Sequence, residues 1–211
     1  MKNIWVTIIF LHVASGFALQ KEDFLEQEAS NQQIFKRTPP LLETKASYFF
    51  FASSNMSKVY RDGGFQVQLS GSYPIWRGLQ VYGSTGFSEA WGQSLSFRQN
   101  TSLWQLSVDL GLKPIFTIAS FAQYYFTMGP RYFYMHQRNS SSYVSPTVPK
   151  NGAGLFVNTG FNFFPMPRLV IDIFGEYAYE PVHFSPSRSN VYAKSTQLSF
   201  FSFGAGIGYT F

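Results

Sequence analysis

The stretch Ser199–Phe211 reads SFFSFGAGIGYTF. Phe201, Phe203, Ala205, Ile207, Tyr209 and Phe211 share one parity, while Gly204, Gly206, Gly208 and Thr210 share the other. Strict period two means a strand with two unlike faces, here one greasy and aromatic and one small and polar. At about 3.3 Å per residue and a tilt of about 45°, Phe201 to Phe211 climb roughly 25 Å, enough to cross a thin apolar layer.

The same texture runs backward to about Thr44. One segment sets Phe65, Val67, Leu69, Gly71 and Tyr73 against Gly64, Gln66, Gln68, Ser70 and Ser72; another sets Trp104, Leu106, Val108, Leu110 and Leu112 against Gln105, Ser107, Asp109 and Gly111. A third sets Leu169, Ile171, Ile173, Tyr177 and Tyr179 against Val170, Asp172, Phe174, Glu176 and Ala178. The pattern predicts eight strands, near 44–54, 63–73, 79–88, 101–113, 117–135, 153–164, 169–179 and 196–211. Their links alternate in length. PIWRG, KPIF and FPMPR are short and contain proline, whereas 55–62, 89–100, 136–152 and 180–195 are longer and rich in Ser, Asn, Gly and Arg. Tight turns at one end and long loops at the other describe an up-and-down meander.

Composition agrees with a surface that does not face water. Aromatic residues make up 19% of the 211-residue chain and charged residues 13%, the latter about half the fraction usual in soluble domains. No run is long and apolar enough for a transmembrane helix. Residues 1–18 have the layout of a secretory signal: Lys2, an apolar run from Ile4 to Ala14, then Gly16 and Ala18 before the cut. Residues 19–43 are polar, contain Pro39-Pro40, and read as a flexible lead-in to a barrel domain at 44–211. The absence of cysteine excludes disulfides, thiolate metal sites and a cysteine nucleophile. No cofactor or metal is expected, and the dispersed basic residues offer no nucleic-acid surface.

An alternating final strand closing on Tyr209-Thr210-Phe211 resembles the small bacterial outer-membrane barrels, such as the OmpA transmembrane domain and its OmpX-like and OmpW-like relatives. The resemblance implies an all-β, eight-stranded antiparallel up-and-down transmembrane barrel with both termini periplasmic. It also implies that Tyr209 and Phe211 form the signal read by the barrel-assembly machinery. A soluble lipocalin-like barrel would turn the apolar face inward, but Asp109, Asp172, Glu176 and, by parity, Arg131 all fall on the polar face. Trp76, Phe116, Phe164 and Phe211 are expected at the short-turn rim, with Arg77, Lys113 and Arg168 in the three turns.

Eight strands enclose room for side chains only, so a general porin is excluded. Asp109, Arg131, Asp172 and Glu176 are expected to form one interior charge network. Lys58, Arg61, Arg98, Arg138, Lys150, Arg188 and Lys194, with Asp62, Glu89 and Glu180 beside them, place a cationic surplus in the long loops, facing outer-membrane lipid and lipopolysaccharide phosphates. The expected function is a monomeric, non-enzymatic barrel with a structural or surface-interaction role. The alternative is a narrow channel for a small apolar or ionic solute, as the OmpW-like resemblance implies. A lipid A-modifying enzyme has one hook, His183-Phe184-Ser185 near Glu180, since a histidine taking a serine proton is the chemistry needed.

Overall fold

The computed structural model describes residues 39–93, 99–139, 147–183 and 195–211. The expected leader at 1–18 and most of the lead-in lie outside the described residues. The elements are β1 (Leu41–Phe51), α1 (Ser54–Val59), β2 (Gly64–Trp76), β3 (Leu79–Gln93), β4 (Asn100–Ala119), β5 (Ala122–Asn139), β6 (Thr147–Met166), β7 (Leu169–Tyr179), β8 (Pro181–His183), β9 (Ser195–Gln197) and β10 (Phe200–Thr210). Strands β1 to β7 follow one another around a closed barrel, and β10 completes it between β7 and β1. Every pairing is antiparallel. Where the ring is closed it leaves no edge, so the backbone N–H and C=O groups of those rungs have a neighbouring strand to serve them.

The side-chain period decides what each wall carries. On β1 Leu41, Glu43, Lys45, Ser47, Phe49 and Phe51 point inward and are buried, while Leu42, Thr44, Ala46, Tyr48 and Phe50 point outward. On β10 the expected aromatic parity faces out, with Phe203 64% and Phe211 71% exposed. The small parity faces in for a steric reason: a Cβ at Gly208 would stand 2.7 Å from Glu43 Cγ, and one at Gly206 3.0 Å from Lys45 Cγ. Glycine on β10 thus leaves room for the charged side chains of β1.

Three boundaries differ from expectation. The barrel starts at Leu41 rather than Thr44, which moves Glu43 from the lead-in into the wall. The KPIF segment is not a turn: β4 continues through Lys113 and Pro114 to Ala119, and Pro114 is tolerated because it occupies the last rung against β3, opposite Leu79. The strands also outrun the apolar band at the long-loop end, where β5 and β6 pair as far as Arg138 and Thr147. The outward residues His136 and Arg138 of β5 are polar there, although the ladder itself continues.

The described part of the long loops folds back onto the barrel. Helix α1 follows β1 and is turned into β2 by Gly63, whose positive φ of 67° suits a residue without Cβ. The short hairpin β8–β9 stands between β7 and β10. The described chain ends, near Leu41 and Phe211, lie at the short-turn end of the strands, where Leu41 pairs with Thr210. No helix among the described residues is long and apolar enough to cross a membrane.

Candidate functional site

The lumen carries its charges in two clusters rather than the single network expected from the sequence. Toward the long loops, Arg131 on β5 gives Asp109 on β4 a bidentate pair, Nε to Oδ1 at 2.6 Å and Nη2 to Oδ2 at 2.8 Å. The same guanidinium reaches Glu176 Oε1 at 2.7 Å and Glu180 Oε1 at 3.5 Å. Neutral donors complete the acceptors: Ser84 Oγ to Asp109, Gln68 Nε2 and Asn158 Nδ2 to Glu176, and Gln105 Nε2 to both oxygens of Glu180. A buried charge is tolerable only when paired and hydrogen-bonded in this way.

Asp172 belongs to a second cluster nearer the short turns. Lys45 Nζ lies 2.6 Å from Asp172 and 3.5 Å from Glu43, which Lys113 also approaches at 3.5 Å. Tyr125 Oη donates to Asp172, and its ring lies 4.1 Å from Lys113 Nζ. Lys113 is therefore buried inside the barrel and does not anchor a rim, because its inward parity on the extended β4 carries it there. Arg77 and Arg168 do sit in exposed turns, and Arg168 donates to Tyr209 Oη at 3.0 Å.

Glu180 is the other correction, since the sequence places it among external loop charges. It lies one residue past β7, against Gly154 of β6, yet its side chain turns into the lumen and is buried beside Arg131.

Above the Arg131 cluster the lumen changes character. Phe49, Phe51, Tyr60, Ala90, Leu103, Phe133, Met135, Ala178, Val182, Leu198 and Phe200 form one buried apolar cluster, with Met56 and Val59 of α1 packed onto it. Phe49 meets Phe200 at 5.0 Å between ring centres, and Phe51 meets Tyr60 at 5.4 Å. The sequence pattern did not predict this plug, which closes the long-loop mouth.

Lys58 and Arg61 are exposed at the end of α1 and just beyond it, Arg138 is exposed on the outer wall, and Lys150 is half-buried on β6; Arg98, Arg188 and Lys194 lie outside the described residues. Ser185 also lies outside them, and only the backbone of His183 is described, within β8. No group of three or more His, Cys, Asp or Glu among the described residues is placed to hold a metal ion. Tyr209 and Phe211 line the outer wall beside each other, their rings 5.2 Å apart.

A closed antiparallel barrel of eight strands, polar and charged within and apolar without, has the outer-membrane β-barrel fold. Solved structures share that fold. OprG of Pseudomonas aeruginosa superposes with a TM-score of 0.61 at 15% identity, covering 83% of this chain and 97% of that one. Neisserial surface protein A gives 0.55 at 15% identity, covering 82% and 97%. Ail of Yersinia pestis, named as its attachment invasion locus protein, gives 0.52 at 15%, covering 83% and 100%. No protein-family model and no curated protein sequence matches the chain.

Proposed function

We propose that the chain is an integral outer-membrane barrel, inserted by the barrel-assembly machinery, that acts as a monomeric structural or surface-interaction protein without catalytic activity. The observation that carries this reading is the filled lumen: among the described residues a paired charge network lies beneath a buried apolar layer. A barrel filled in this way presents only its outer wall and its loops to partners. The outward band from Leu42 and Leu69 through Leu110, Ile173 and Ile207 suits hydrocarbon, and the long loops then face the outside of the cell.

The test is refolded protein in planar bilayers, after heat-modifiable migration and carbonate-resistant fractionation have established insertion. The expected recording is flat. Steady unitary currents from the wild-type chain would overturn the closed-barrel reading in favour of the narrow conduit.

A further inference from the structure

We propose that the outer wall near the long-loop rim of β3, β4 and β5 holds a binding site for the phosphate of a membrane-lipid headgroup. The inference rests on the membrane-barrel reading and deepens it by naming a place and a ligand chemistry. Three outward rows cross these strands in register. Phe87, Leu106 and Tyr134 form the deepest, Glu89, Trp104 and His136 the next, and Trp91, Ser102 and Arg138 the outermost. The rows therefore pass from hydrocarbon-like to polar over two steps of about 7 Å.

A pocket of about 420 Å³ opens at the outermost row, lined by Trp91, Gly92, Asn100, Thr101, Ser102 and Arg138. Its shape follows from residue size. Small Ser102 lies between large Trp91 and Arg138, whose strands flank its own, so the two long side chains wall a gap about two strand spacings, or 10 Å, across. The walls are braced. Trp91 stacks on Phe65 with ring centres 5.9 Å apart, and Thr101 Oγ1 donates to the Arg138 carbonyl at 3.0 Å. No carboxylate pairs with the exposed Arg138 guanidinium among the described residues, and the nearest acid in these rows is Glu89, one row deeper and half-buried. His136, stacked on Trp104 at 5.2 Å in that same row, has a buried Nδ1 with no hydrogen-bond partner among the described residues.

A guanidinium fork is matched to phosphate oxygens, hydroxyl and amide groups supply further bonds, and an indole at the interface covers the apolar shoulder of a headgroup. The apolar row below fixes the source. A ligand that satisfies both rows has acyl chains against Phe87 and Leu106 and an anion beside Arg138, which a free phosphate ion cannot provide.

The test uses full-length protein in phosphatidylcholine nanodiscs, with native mass spectrometry counting bound diphosphoryl lipid A, dephosphorylated lipid A or phosphatidylglycerol. Wild type is expected to prefer phosphorylated to dephosphorylated lipid A by about tenfold, Arg138→Gln to lose that preference, and Arg138→Lys to recover only part of it. Trp91→Ala is expected to weaken all lipids by about threefold while keeping the preference. Phosphatidylglycerol binding as tightly as lipid A, above the zwitterionic phosphatidylcholine background, supports recognition of anionic lipid phosphate in general; weaker binding supports a phosphorylated sugar. Retention of the preference by Arg138→Gln, or displacement of lipid A by millimolar inorganic phosphate, overturns the site. Failure of the wild type to enter nanodiscs is seen separately and counts against the membrane reading itself.

Discussion

Replacing Arg131 by alanine is expected to lower the unfolding free energy of the lipid-inserted barrel by about 3–5 kcal/mol, the usual cost of leaving buried charges without their partner. Arg131 is 1% exposed and is the cation shared by Asp109, Glu176 and Glu180. Without it three acidic side chains face one another in a space that Gln105, Gln68, Asn158 and Ser84 cannot neutralise. The guanidinium also lies 5.6 Å from the Phe156 ring and 5.7 Å from that of Phe200, so the variant loosens the join between network and plug. Urea titration in vesicles, or the temperature at which the heat-modifiable band shifts, reads the loss. Combining Arg131→Met with Asp109→Asn and Glu176→Gln is expected to recover most of it, because the burden is uncompensated charge rather than missing volume. A loss below about 1 kcal/mol in the alanine variant would mean that water reaches the carboxylates and that the lumen is not sealed.

Truncating Phe49 to alanine should cost a similar amount, about 3–5 kcal/mol, through the cavity left among rigid rings. Phe49 is 1% exposed, edge-on to Phe51 at 5.4 Å and tilted against Phe200. Its neighbour Phe50 supplies the control. Phe50 is 50% exposed on the opposite face, so the same truncation there trades ring for lipid and should cost well under half as much. Equal losses at the two positions would remove the plug as a packing unit. Emptying it further with Phe49→Ala and Phe200→Ala together is expected to bring small ionic currents absent from the wild-type recording, since the apolar layer then no longer excludes water.

Both results turn on which side chains point inward, and that much is legible in the sequence. The parities of β2, β4, β7 and β10 follow directly from Phe65, Leu106, Ile171 and Phe203 and their alternating neighbours, because the period of a strand is set by local backbone geometry. The interior placement of Asp109, Arg131, Asp172 and Glu176 came from the same rule. Glu43 and Lys45 obey it too, and extending the β1 alternation back to Leu41 would have revealed them. Pro114 hid Lys113, since a proline in a short link reads as a turn until its place at the end of a ladder is known. The plug was hidden for a different reason: in Tyr48–Phe51 and Phe200-Phe201 both faces are apolar, so the alternation vanishes where the lumen itself becomes greasy.

Alternation along the chain, by itself, determined that this protein is built of strands with one oily and one polar face, because that information lies within a few residues of each Cβ. Only the tertiary structure decided which inward groups meet. Arg131 finds Asp109 across 22 residues and Glu176 across 45, Gln68 finds Glu176 across 108, and Asp172 turns instead to Lys45. Those meetings depend on the stagger with which eight tilted strands close, and on loops that fold into the mouth. Both are properties of the whole ring that no single strand carries.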